Sequence, residues 1–299
     1  MNLPSVRQVE CFVAVLEKLN FHEAAKSCFI TQPALSAQIQ QLEELLDVKL
    51  FERDRRTVLP TSAGLALAGK ARSILADLRD LSESAAIQRE PLVGTLRLGV
   101  IPTVAPYVLP RGIRKVRERY PDLRLLLREG QTEDLLEHLR DGSLDLLLLA
   151  LEADLGDVET LPLFSDPFLL AVPKGHPLST RKRLSEKDLD SQHVLLLDDG
   201  HCLRDQALSI CSRVGANEST DWRASSLTTL VQMVAGGIGV TLIPSISAKV
   251  EAGAHRPIEV IPFGARGPAR TIGLAWRPSA IRSAEFELFG AAIADAMAT

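Results

Sequence analysis

Two cysteines nine residues apart carry the strongest chemical signal in this chain. They lie in the stretch GHCLRDQALSIC, residues 200–211. His201 precedes Cys202, and Arg204 and Asp205 follow it. Upstream, the apolar run VLLLDD (194–199) reads as a strand, and downstream 203–212 reads as a helix. Cys202 therefore falls where a strand gives way to a helix. A thiol at a helix N-terminus near a guanidinium is placed to ionise, and the thiolate is the reactive form. The plainer reading of the pair is two small buried hydrophobes. Cys11 and Cys28, on the apolar faces of N-terminal helices, are read that way. No CxxC or His/Cys cluster has zinc spacing, so neither a metal nor a cofactor is expected.

Positioning such a thiol takes a sizeable scaffold. The chain has 299 residues, 46% of them hydrophobic, with a net charge of −4. That length suggests two or three domains. The N-terminus, MNLPSVRQVE, shows no basic region followed by an apolar run, and no stretch of about 18 apolar residues exists. A cytosolic protein with no membrane partner is expected, its cysteines resting reduced. A disulfide there would be a signal rather than a staple.

The first 65 residues have the pattern of a helix-turn-helix. Ser5 and Gln8 form a capping box before Val9, Phe12, Val13 and Leu16 at helical spacing. Asn20 opens a second helix through Ala24 and Ala25. Thr31 caps a third, with Pro33 in its first turn. Leu35, Ile39, Leu42 and Leu46 form its apolar face, opposite Pro33, Ser36, Ala37, Gln40 and Gln41. The tight connection at 27–30 completes the motif. Arg53, Arg55 and Arg56 then cluster between short extended pieces, like a basic wing or simply a solvated charge run. Residues 1–65 hold 7 Lys+Arg against 8 Asp+Glu, so composition does not argue for DNA. The pattern does.

That pattern resembles the LysR-type transcriptional regulators. The matching residues are Phe21, Ala24-Ala25, the run TQPALS at 31–36, Gln38-Ile39, Leu42-Glu43, LFER at 50–53 and TSAG at 61–64. The resemblance implies that Thr31, Gln32, Pro33 and Ser36 meet the major groove of double-stranded promoter DNA, and that Arg53 reaches the backbone or minor groove. Gln can pair bidentately with adenine, Ser can reach base or phosphate, and Arg carries the salt-dependent attraction. Asp47 stands where relatives usually carry Gly, and Ala37 where they often carry Arg.

From Ser62 to Gln88 the chain has no Pro. Leu67, Ala71, Ile74, Leu78, Leu81 and Ala85 recur at 4, 3, 4, 3, 4, a heptad seam. The seam fits a dimer helix, since palindromic DNA needs two readers. Packing against its own domain is the alternative. A hinge follows at 88–94. The expected division is a winged helix-turn-helix domain at 1–61, a linker helix and hinge at 62–92, and a regulatory domain at 93–299.

Strands and helices alternate over the rest. Strands are predicted at 95–100, 123–127, 144–149, 168–172, 194–197, 221–224, 240–243 and 271–276. Helices are predicted at 133–140, 203–211, 227–235 and 284–296. Alternation implies a parallel sheet covered on both faces. The family resemblance extends here, through GGIGVTLIP at 236–244, and implies an α/β effector domain of two lobes like periplasmic binding proteins. The expected fold is thus an all-α winged helix-turn-helix, a long linker helix and this α/β domain. Lobe I would take 93–165 and 267–299, lobe II 166–266.

Residues 200–211, with IPTV at 101–104, Gln131-Thr132, RASSL at 223–227 and RTIGL at 270–274, resemble the peroxide-sensing branch of the family. The resemblance implies that hydrogen peroxide oxidises Cys202 to a sulfenic acid, which Cys211 resolves to a disulfide. Thr103 and Thr132 would orient the peroxide and Arg270 stabilise the pocket charge, with His201, Arg204 and Asp205 completing the polar surroundings. An unperturbed thiol, pKa about 8.5, is only about 3% ionised at pH 7, so ionisation alone gains at most about 30-fold. Donors at the leaving oxygen must supply more. Alternatives stand beside each role: the threonines as helix caps, Arg270 paired with a structural acid, His201 bonded to backbone. Asp221 departs from the His of relatives. The family also implies a homodimer or homotetramer, an activator of the oxidative-stress response that meets RNA polymerase, and a thiol reductant such as glutaredoxin or thioredoxin. Two rivals remain: a regulator gated by a metabolite between the lobes, and a thiol peroxidase.

Overall fold

Capping side chains start each of the first three helices. This computed structural model describes residues 3–53, 57–87, 91–190, 192–215, 217–253 and 257–298, without the side chains of 53, 80, 82–87 and 217–221. Ser5 and Gln8 form the capping box of α1 (Val6–Lys18). The Asn20 side chain accepts from the N–H groups of His22 and Glu23 and opens α2 (Phe21–Ser27). Thr31 accepts from Ala34 and opens α3 (Gln32–Leu46). Each cap satisfies a donor the helix leaves orphaned. At its other end α3 stops on Asp47, whose φ of 52° is left-handed. Aspartate thus adopts the cap that glycine usually fills. Leu35, Ile39 and Leu42 are buried with Phe12, Phe21 and Phe51, whose rings meet edge to face. Leu46, expected on the same face, is exposed: the chain reverses at Asp47 before any core element covers it.

The N-terminal domain is not purely helical. β1 (Phe51–Arg53) and β2 (Val58–Pro60) pair antiparallel, with Phe51 opposite Pro60, and form a short ribbon. Arg55 and Arg56 lie outside the described residues. The long α4 (Ser62–Ile87) follows. Its seam is divided. Ala71 is buried and Leu67 half-buried against the N-terminal core, while Ile74 and Leu81 are exposed. The first stretch of the seam thus packs against its own domain, and the later one leaves apolar side chains exposed. The side chain of Ala85 lies outside the described residues.

The C-terminal unit opens with β3 (Gly94–Val100), α5 (Ala105–Arg119), β4 (Leu123–Glu129), α6 (Thr132–Arg140) and β5 (Leu146–Ala150). β4 and β5 flank β3 in parallel, as alternation predicts. The 15-residue β6 (Glu159–Pro173) is longer than expected and joins two α/β lobes. Beyond it come β7 (His193–Leu197), α7 (Cys202–Ser212), β8 (Asn217–Ala224), α8 (Leu227–Ala235), β9 (Thr241–Pro244), α9 (Ser245–Glu251) and β10 (Ile258–Pro262). The chain then returns through β11 (Ala269–Trp276) and α10 (Ser283–Ala298), and α10 packs on α5. That late pair joins the first lobe.

The main sheet is mixed, not parallel. Its order is β10-β6-β11-β5-β3-β4, with β9 also on β6. β11 runs antiparallel to both β5 and β6, and β9 and β10 run antiparallel to β6. Each passage between lobes brings a strand back in the opposite direction, which simple alternation does not reveal. β6 pairs with β11 over 159–167 and with β9 and β10 from Phe168 onward, so it changes partners at 167–168. β7 and β8 form a separate parallel pair.

Candidate functional site

The thiol sits where the strand, turn and helix predicted from sequence converge. β7 ends at Leu197, the chain turns through Gly200, and Cys202 is the first residue of α7, with His201 as N-cap. Only glycine suits position 200. Its φ is +89°, and a Cβ there would lie 2.3 Å from Gln131 Oε1. Gln131 in turn donates to the Asp199 carbonyl at 3.3 Å, which joins the start of α6 to the turn before α7.

Cys202 is buried, and it lines a narrow hollow with Ile101, Thr103, Gln131, Thr132 and His201. Burial pushes its thiol pKa up. Against this act the charge of Arg270, the Thr132 hydroxyl and the N–H of Leu203; Asp205 adds to the rise. The expectation of a thiol poised to ionise is therefore corrected. Helix N–H and guanidinium are both present, but desolvation outweighs them in the closed, reduced state.

The cation acting on the thiol is also not the neighbour in sequence. Arg204 turns away: its Nε donates to Asp199 Oδ1 at 2.8 Å, and Arg223 meets the other oxygen of the same carboxylate at 3.0 Å. Arg204 thus fastens the turn. Arg270, 1% exposed, is the partner. Its guanidinium donates to Thr103 Oγ1 at 2.9 Å, to the Thr103 carbonyl at 3.1 Å, and through Nε to Asp166 Oδ2 at 2.9 Å. Thr103 is not a cap; α5 has no side-chain cap at its start. Thr132 opens α6, and its buried Oγ1 lies against the thiol without another partner among the described residues.

His201 is buried with its pKa pushed down by burial, while Asp198 and a bond to the Ser225 backbone pull it up. It lines the hollow and also bonds to backbone. Asp205 is exposed on the first turn of α7 and lines an adjoining cleft with Cys202, Gln206, Ser209 and Arg213. Cys211 is buried in the second lobe's core beside Leu203, Ala207 and Ile210, and all four cysteines are free thiols. The Asp221 side chain lies outside the described residues.

Sequence reasoning missed Asp166. It is fully buried, holds Arg270, and also accepts from Ser245 Oγ at 2.8 Å and the Ile246 N–H at 3.1 Å. The one signal for it was an acid inside the apolar run FSDPFLL.

At the N-terminal end, Thr31, Gln32 and Pro33 are exposed and Ser36 is half-buried, all at the start of α3. Arg53 ends β1, its side chain outside the described residues. Glu43 is one acid that needs no solvent. Buried, it accepts from Leu50 N–H at 2.9 Å, from Phe51 N–H, and from Lys49 at 2.8 Å. Burial works to raise its pKa, but these donors outweigh burial and leave it lowered.

Residues 6–65 match the bacterial regulatory helix-turn-helix protein, lysR family, and residues 89–298 match the LysR substrate binding domain. The chain belongs to the LysR family. This LysR protein is 47% identical over 295 residues to a "probable hydrogen peroxide-inducible genes activator" of Streptomyces viridosporus, covering 98% of this chain and 95% of that one. Its fold matches a full-length OxyR of Pseudomonas aeruginosa carrying a Cys-to-Asp change, with TM-score 0.83, 32% identity, and 98% and 95% of the two chains covered. It also matches a hydrogen-peroxide-bound Cys-to-Ser mutant of Corynebacterium glutamicum OxyR, with TM-score 0.69, 36% identity, and coverage of 99% and 94%. Among the described residues no helix of this LysR protein is long and apolar enough to cross a membrane, and no group of three metal-ligating side chains occurs.

Proposed function

We propose that this LysR protein is a DNA-binding transcriptional regulator of the oxidative-stress response that senses hydrogen peroxide at Cys202. The observation that carries the reading is the thiol at the start of α7, in a hollow whose walls include Thr103, backed by Arg270, and Thr132. The named functions of its relatives point the same way. The Cys202 thiolate attacks one peroxide oxygen and forms the sulfenic acid; the other leaves as hydroxide. Arg270 and the two hydroxyls meet that developing charge. Cys211 then displaces water to form the disulfide, and a thiol reductant of the glutaredoxin or thioredoxin class restores both thiols. On this reading the chain is a regulator; consumption of many peroxide equivalents per chain under reductant, at a physiological rate, would favour a thiol peroxidase instead.

The working division is 1–61 for DNA binding, 62–92 for the linker and hinge, and 93–299 for sensing, with lobe I at 93–165 and 267–299 and lobe II at 166–266. The exposed Ile74 and Leu81, with the half-buried Leu78, support a homodimer built on α4, while Leu67 packs on its own domain; a homotetramer, contact with RNA polymerase and a cytoplasmic site belong to the same reading.

The deciding experiment is DNA footprinting before and after a stoichiometric peroxide pulse, with thiols mapped by mass spectrometry. Cys202→Ser is expected to abolish the change in footprint and leave reduced-state DNA binding intact. A response that survives in this variant would favour gating by a metabolite instead.

The DNA contacts have their own test. Gln32→Ala is expected to relax base preference at one position per half-site, at about 1–3 kcal/mol for a bidentate contact. Arg53→Ala should weaken all sequences alike and reduce the salt slope by about one. Equal footprints and salt slopes for both variants would reject this docking of α3 and the ribbon.

A further inference from the structure

We infer that the N-terminal domain carries a second thiol pair, Cys11 and Cys28, able to close into a disulfide that ties α1 to the turn of the helix-turn-helix. Cys11 is fully buried on α1, and Cys28 is the C-cap of α2, 8% exposed. The two side chains share one buried cluster, near enough for Cys28 to act on the titration of Cys11. A second contact fixes the same approach. Arg7, one turn before Cys11 on the same face of α1, donates from its guanidinium to the Cys28 carbonyl. Two contacts one turn apart set a register between α1 and the end of α2. A disulfide needs the sulfurs to close to about 2.05 Å, and this packing of α1 on the end of α2 brings the two side chains into the same core.

The pair suits strong oxidation rather than dilute peroxide. Burial, then the neighbouring Cys28, holds the Cys11 thiol up at about 11, so it rests protonated. Cys28, at the more open end, is the sulfur an oxidant reaches first. Hydrogen peroxide converts the Cys28 thiol to a sulfenic acid, releasing one water. The Cys11 sulfur then attacks the Cys28 sulfur; its proton and the departing hydroxide leave as a second water. Two thiols thus lose two electrons and two protons, and the peroxide becomes two waters. The linked turn leads within three residues to the Thr31 cap and within four to Gln32, so fixing Cys28 fixes the entry of α3. Phe29, next along, already holds a left-handed φ of 56°.

This inference does not rest on the reading of Cys202, and its test removes that site. In the full chain carrying Cys202→Ser and Cys211→Ser, the two remaining thiols are titrated before and after excess hydrogen peroxide, and peptides are mapped. The expected result is loss of both thiols, a peptide joining residues 11 and 28, a Tm raised by several degrees, and DNA affinity changed several-fold, all reversed by dithiothreitol. Cys28→Ala added to this background should leave Cys11 free and the affinity insensitive to peroxide. Thiols that stay alkylatable, links only between chains, or sulfinic acid in place of a link would overturn the pair. A link that forms without altering affinity would overturn its effect on α3. The thiol count and the linked peptide decide the first point even where Cys28→Ala fails to fold.

Discussion

Arg270→Ala is expected to cost about 3–5 kcal/mol of stability, because it strands the Asp166 carboxylate in the core. The two side chains are 1% and 0% exposed, so no solvent screens the loss. Asp166 keeps its bonds from Ser245 and Ile246, which limits the damage but supplies no charge. Denaturant unfolding at neutral pH measures the effect; a variant as stable as the parent would mean that water enters and solvates the acid. The same substitution removes the strongest influence holding the Cys202 pKa down, so the thiol should titrate higher still. Oxidation should slow by more than the lost thiolate accounts for, since Arg270 also orders Thr103. Thr103→Val separates the two effects: it should slow oxidation with little change in titration. Slowing wholly explained by thiolate fraction would show that the hollow does not organise the leaving oxygen.

Forming the disulfide between Cys202 and Cys211 is expected to unwind much of α7. Both lie within this one helix, Cys202–Ser212, nine residues apart. At 1.5 Å per residue their Cα atoms are about 13 Å apart, and a disulfide requires about 7 Å or less. Leu203, Ala207, Ile210 and Cys211 are buried in the second lobe's core and would lose their present neighbours. Leu208 packs against the same core at its edge. Hydrogen exchange over 203–215 should therefore rise sharply in the disulfide form. Cys211→Ser should still give the sulfenic acid at Cys202 and lose most of the lasting change. Equal protection in the reduced and disulfide forms would rule out unwinding, and with it this route from peroxide to DNA.

Much of this was legible in sequence because the signals were local. The caps at Ser5, Asn20 and Thr31, the start of α7 at Cys202, and the helices at 227–235 and 132–140 are set by neighbours within a few residues. What was not legible depended on distant pairing. Arg270 meets Thr103 and Asp166 across 167 and 104 residues, so spacing alone offered only the nearer Arg204, and Arg270 entered through the family resemblance. Strand direction failed for the same reason: β11 enters between β5 and β6 only after the second lobe is complete. The short α9 and edge strand β10 went unassigned because 245–251 and 258–262 are too brief to show a period. Leu46 and the divided seam of α4 show a further limit: periodicity gives a face, but not what covers it.

The point at which β6 changes partners works as a fulcrum. Asp166 sits one residue before it, gripped by Arg270 from β11, which holds Thr103 ahead of α5, and by Ser245 and Ile246 at the start of α9. Four segments are clamped there by buried hydrogen bonds beside the sensing thiol. A load applied by a collapsing α7 is expected to turn the lobes about that junction rather than shift it sideways. Displacement then grows with the length of the lever arm. Atoms beside the sulfur need move little, while the far rims of both lobes, where other chains could be met, travel farthest.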